Sequence, residues 1–86
     1  MADQIIDHST ACLVQADARR AWRVVGWVVQ ADPAHPGKFM ARLLAGDPSP
    51  YVLLDETLPG LRAKLPPGLH RLGRQPDGIV EIWFAA

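Results

Sequence analysis

The ten residues Ala-Trp-Arg-Val-Val-Gly-Trp-Val-Val-Gln, from Ala21 to Gln30, are dense in the β-branched and aromatic types that fit a pleated surface, which predicts a strand. Apolar side chains fall at both parities. Trp22, Val24 and Val28 share one side, and Val25, Trp27 and Val29 share the other. A strand with two apolar faces belongs inside a sheet with both faces covered. Gly26, without a side chain, marks a bulge or a close neighbouring backbone. Asp32-Pro-Ala-His-Pro-Gly37 then makes a turn, because its prolines cannot donate to a ladder and its glycine can take positive φ. Lys38 to Ala45 returns as a second strand, Gly46-Asp-Pro-Ser-Pro50 breaks the chain again, and Tyr51 to Leu54 is a short third strand. The span 21–54 is thus an antiparallel meander.

The period then changes. Leu58, Leu61 and Leu65 lie on one stripe of a 3.6-residue repeat, which predicts a short amphipathic helix. Thr57 is its natural N-cap, since that places Pro59 at the second helical position, where a missing N–H has no intrahelical partner to lose. Pro66-Pro67-Gly68 stops the helix after Leu65. A basic connection from Leu69 to Asp77 follows, and Ile79-Val-Glu-Ile-Trp-Phe84 is a final strand that must rejoin the sheet.

The N-terminal fifth is less definite. Residues 1–8 are polar, acidic and unpatterned apart from Ile5-Ile6, and are expected to form a loose tail. Residues 9–20 admit two readings. One is a helix capped by Ser9 or Thr10 with Val14, Ala18 and Ala21 on a stripe; the other, carried forward here, is an extra N-terminal strand. The expected fold is α+β: an antiparallel sheet of four or five strands in the order β-β-β-α-β, with one short helix packed on one face.

A helix of about ten residues spans roughly 15 Å and covers only part of such a sheet. On the last strand Val80, Ile82 and Phe84 point one way and Ile79, Glu81 and Trp83 the other. With the helix over the first set, Trp27, Ile79 and Trp83 lie on an open, apolar face. Residues 9–20, a second copy or another protein would have to cover it. The three residues are therefore the expected protein-interaction site, in a homodimer or a hetero-complex.

Composition narrows the options. The 86 residues suffice for one small domain over 9–86, with a thin margin of stability. Nine Lys plus Arg balance nine Asp plus Glu, so no overall field draws in nucleic acid or an anionic membrane. From Thr57 to Pro76, however, no acid appears while Arg62, Lys64, Arg71 and Arg74 do, a candidate contact for an anion or nucleic acid. That stretch carries no aromatics on which bases could stack, so nucleic acid is possible but not favoured.

Cys12 has no internal disulfide partner, and the acidic N-terminus has the wrong sign for a signal or transit peptide. A soluble cytoplasmic protein is the expectation. His8 and Cys12, four apart, are half a zinc site by spacing, but His35 and His70 lie in separate loops, so no metal is expected. The glycines sit beside prolines or at element ends rather than in a phosphate-binding loop, and no cofactor is expected. The acid–base candidates, Asp32 with His35 and the pair Asp55 and Glu56, occupy a turn and a helix entry. No catalytic residue is assigned, and a non-enzymatic module is expected.

The run Leu61-Arg62-Ala-Lys-Leu65-Pro66-Pro-Gly68-Leu69-His-Arg71, followed by Val80-Glu81-Ile-Trp83, resembles the ending of a set of short uncharacterised bacterial proteins. The resemblance covers the last third of the chain and implies no site residue. The strand order is similar to the partial double-stranded-RNA-binding fold of HicB-type antitoxins, by analogy of architecture alone.

Overall fold

Both helices lie on the same face of a mixed six-stranded sheet. The computed structural model describes residues 3–72 and 78–85. In chain order the elements are β1 (Gln4–Ile5), α1 (His8–Ala21), β2 (Val25–Ala31), β3 (Phe39–Ala45), β4 (Asp47–Asp55), α2 (Leu58–Lys64), β5 (His70–Arg71) and β6 (Glu81–Ala85). The strands stand side by side in the order β1-β4-β3-β2-β6-β5. The α+β class and the meander agree with the sequence reading; the sheet has more strands than expected and is not purely antiparallel.

The one parallel pairing joins β1 to β4, with Gln4 beside Tyr51 and Ile5 beside Val52. Residues 3–8, expected as a loose tail, are therefore docked. Asp3 binds Arg42 through both carboxylate oxygens, at 2.8 and 2.9 Å. The Asp7 carboxylate accepts the Thr10 N–H at 2.8 Å, which makes Asp7, and not Ser9 or Thr10, the cap of the first helix.

Residues 8–21 form a helix rather than a strand. The segment carries four alanines at 11, 16, 18 and 21 and no β-branched run, so propensity favours the helix. Ala11 and Gln15 are buried, and the small Ala11 lets the helix sit close on the sheet. Arg19 and Arg20 fall in its last turn, where cations suit the helix dipole. In α2 the expected cap holds, with the Thr57 hydroxyl accepting the Gly60 N–H at 3.1 Å.

The core lies between the helices and the odd-numbered positions of the sheet: Val25, Trp27 and Val29 of β2, Ala41 and Leu43 of β3, Leu53 of β4, with Ala11 and Leu61 above them. Trp27 is 0% exposed, and its indole Nε1–H donates to Gln15 Oε1 at 2.7 Å. A buried indole N–H needs such a partner, and Gln15 supplies it from the helix. β2 is central as expected, between β3 and β6, and among the described residues α1 joins α2 on one of its sides rather than taking the other.

The last strand is interior, pairing with β2 along Val25 to Val29 and with β5 at its other edge. Gly26 marks a close backbone, since a Cβ there would lie 3.3 Å from the Trp83 carbonyl oxygen. Both outer strands are two residues long, and β4 carries Pro48 and Pro50, which blunt the sheet's edges against further pairing.

Candidate functional site

Side chains alternate across a strand, so the even-numbered positions define the opposite face, and among the described residues neither helix packs on it. Met40 of β3 and Val52 of β4 stand there but are buried, each 3% exposed, while Leu44, Leu54 and Val28 beside them are half-buried. Ile82 and Phe84 of β6 continue the surface toward the edge. His70 of β5 lies opposite Phe84, with ring centroids 5.6 Å apart, and the Leu72 N–H donates to the Ile82 carbonyl.

Gly26 pairs with Leu44 on one side and Phe84 on the other, so its missing side chain leaves a dent between them. The dent widens into an apolar groove of about 370 Å³ walled by Val24, Leu44, Leu72, Ile82 and Phe84. Val24 is 57% and Leu72 40% exposed at its rim. Gly46 closes one end, with φ at 78°. A Cβ on it would meet the Trp22 ring at 2.5 Å, so Trp22 can lie flat against this corner only because glycine is there.

The charge on this face is self-contained. Arg42, the cation among its even-numbered β3 positions, is bound by Asp3 and also donates to the Ser49 carbonyl at 2.8 Å.

The residues singled out from sequence fall elsewhere. Trp27 is buried under α1, and Trp83, its register partner, packs against the same core. Ile79 precedes β6 and is half-buried. The sheet face without helices thus has the opposite parity from the expected one, and Trp27 is buried rather than at a surface. Glu81, at the start of β6, lies on the helix side with Trp83 and is 1% exposed. Arg62 grips it through both Nε and Nη2, Arg71 approaches to 3.5 Å, and the Trp83 indole donates at 3.0 Å. A buried carboxylate satisfied in this way can lie on the helix side.

The same contacts absorb the basic stretch. Arg62 and Arg71 both face Glu81, and Lys64 pairs with Asp55 at 3.3 Å while donating to the Leu54 carbonyl. Arg74 lies outside the described residues. The acid-free window in the sequence is bordered by two acids that the fold brings back onto it.

The Arg62 hydrogen bond holds the Glu81 carboxyl below its ordinary value of 4.5 against the opposing pull of burial, with Trp83 and Arg71 adding to the lowering. A carboxyl lowered in the fold contributes stability that is complete above its unfolded value and lost as pH falls through the folded one. Urea midpoints measured from about pH 7 down to about pH 3 should therefore drop, and Glu81→Gln should remove part of that slope while lowering the midpoint at neutral pH. An unchanged slope in Glu81→Gln would mean that this network carries no proton linkage.

The remaining candidates are held in local structure. Asp32 accepts from the Ala34 N–H at 2.8 Å and pairs with His35 at 2.7 Å within the turn. Asp55 accepts from the Thr57 N–H at 3.0 Å, and Glu56 is exposed at the helix entry. His8 Nδ1–H donates to the last carbonyl of α2, Lys64, at 3.0 Å, leaving Nε2 toward the Cys12 thiol at 3.7 Å. This ties the start of α1 to the end of α2. Among the described residues no group of three or more metal-ligating side chains occurs, and no helix is long and apolar enough to cross a membrane.

Among the described residues, the fold is an α+β domain with both helices on one side of its sheet. Comparison of the chain with protein-family models, with curated proteins and with solved structures finds no match.

Proposed function

We propose that the chain is a non-enzymatic protein-interaction module that works through the even-parity face of its sheet. The observation that carries this reading is the placement of both helices on one side, which leaves the half-buried Leu44, Ile82 and Phe84 on a side where, among the described residues, no helix packs. Large apolar patches on a small domain mark interaction sites, because their exposure to water is unfavourable. The face is the better docking surface than the edges, which are short and proline-bearing. Nucleic acid is disfavoured as a ligand, since three of the four candidate cations already face carboxylates.

A photo-crosslinking side chain placed at position 84, with position 13 as control, tests the reading in cells. Leu13 is 71% exposed on α1, on the helix side of the sheet, where it borders a groove with Leu43 and Tyr51. Protein adducts from position 84 that disappear on adding Ile82→Lys are expected, with none from position 13. Adducts from position 13 alone, or adducts indifferent to Ile82→Lys, would place the interaction elsewhere.

A further inference from the structure

We infer that the segment docking at the Gly26 groove is an acidic peptide with a large apolar side chain, held by Arg19, Arg20 and Arg23 and by the exposed ring of Trp22. The inference rests on the reading that the sheet face without helices is an interface, and adds the chemistry of what binds there.

The first observation is charge. Of the chain's Lys and Arg residues all but Arg74 are described, and Arg42, Arg62, Lys64 and Arg71 each face a carboxylate. The others are Arg19, Arg20, Arg23 and Lys38. The three arginines fall within residues 19–23, all exposed, and none makes an ion pair among the described residues. Asp17, three residues before Arg20, lines the helix-side groove, and Asp47 is exposed beside Gly46; neither pairs with them, and the cluster keeps a positive excess. The helix dipole accounts for Arg19 and Arg20 in the last turn of α1, but not for Arg23, which lies beyond the cap at Trp22.

The second is the side chain inside that cluster. Trp22 is 48% exposed, its ring flat on Gly46 at one end of the groove. Val24, two residues on, is a wall of the same groove. Residues 19–24 therefore join cations, an open aromatic ring and an apolar cleft. Trp and Arg are the types that dominate binding energy at protein interfaces, and a positive patch calls for a negative one opposite.

The third is shape, which selects a peptide. A bilayer takes up apolar side chains that protrude, whereas Trp22 lies flat and the apolar feature beside it is concave. A nucleic-acid strand brings phosphates and bases but no aliphatic group to fill an apolar groove of about 370 Å³. A peptide brings carboxylates for the arginines and an apolar side chain for the groove.

Fluorescence anisotropy with the purified full chain tests this, the probe being a short labelled peptide of glutamates around a central leucine and phenylalanine. Binding that weakens with salt is expected. Arg19→Gln, Arg20→Gln and Arg23→Gln together should weaken it roughly tenfold or more, and Trp22→Ala roughly tenfold. Ile82→Gln, a change without charge in the groove wall, should weaken it too. Lys38→Gln should leave it unchanged, and circular dichroism checks that each variant is folded. A second peptide, with serines in place of the glutamates, separates the failures. If it binds as well as the acidic one and Ile82→Gln weakens both, the face is an interface without preference for acids, so the interaction reading stands and this inference falls. Binding indifferent to Ile82→Gln removes both. No binding of the acidic peptide overturns the inference and leaves the interaction reading to the position-84 crosslinks. Tighter binding of single-stranded DNA or of phosphatidylserine vesicles through the same three arginines also overturns it, and assigns the patch to a phosphate-bearing partner.

Discussion

Trp27→Ala should destabilise the chain by about 3–5 kcal/mol, the range for removing a fully buried aromatic side chain from a core. Small domains have about 5–15 kcal/mol in total, so at this size the variant should be largely unfolded at body temperature. Two losses combine. The ring fills the space between α1 and the centre of the sheet, and its indole satisfies the buried Gln15 amide oxygen. Trp27→Phe separates them, because it keeps most of the packing but orphans Gln15, and should cost about 1–3 kcal/mol. Urea denaturation followed by circular dichroism reads both. A loss below about 1 kcal/mol for the alanine variant would mean that α1 does not lie on this face.

Deleting residues 79–86 should abolish cooperative folding. The segment contains β6, which hydrogen-bonds to strands on both sides, so its removal turns β2 into an edge and leaves β5 without its ladder. Of its five large apolar side chains, at 79, 80, 82, 83 and 84, Val80 and Trp83 pack against the core, and at up to about 1.5–3 kcal/mol each these two alone are a large part of the roughly 5–15 kcal/mol of a small domain. Glu81 goes with them, which strips Arg62 and Arg71 of their shared carboxylate. A truncated chain that kept a thermal transition near that of the full length would show the strand to be dispensable.

Elements whose signal is local were legible in the sequence. The β-branched run at 24–29, the Asp32 turn, the return at Lys38 to Ala45 and the Thr57 cap with Pro59 behind it each depend on neighbours in the chain, and each stands close to its expected place. Elements whose signal is non-local were not. A two-residue strand such as β1 has no periodicity to read, and its position is set by Asp3 reaching Arg42, 39 residues away. Residues 8–21 carry small side chains on the buried side, so the amphipathic contrast that separates helix from strand is weak there.

The inverted face has the same origin. The alternation on β6 is local and holds, but the sequence reading lays the helix over the set with Ile82 and Phe84, whereas the helices pack over the side of Trp83. Arg62, 19 residues from Glu81, lets that carboxylate lie on the helix side. The basic stretch misled in a parallel way, because the acid-free window in sequence is not acid-free in space. An Arg in the helix and another just after it, followed by an isolated Glu between large apolar residues, is the signal that could have been used.

Neighbouring residues on opposite faces of β6 give the most direct test. Ile82→Lys and Trp83→Lys differ by one position and by side of the sheet. Thermal unfolding of the two variants should diverge. Ile82→Lys is expected to keep a cooperative transition, since its lysine points away from the helices. Trp83→Lys is expected to unfold the chain, since it drives an ammonium toward the core and removes the indole donor from Glu81. The reverse result, with Trp83→Lys folded and Ile82→Lys unfolded, would mean that the helices cover the other face, and the interaction surface would move to Trp27, Ile79 and Trp83.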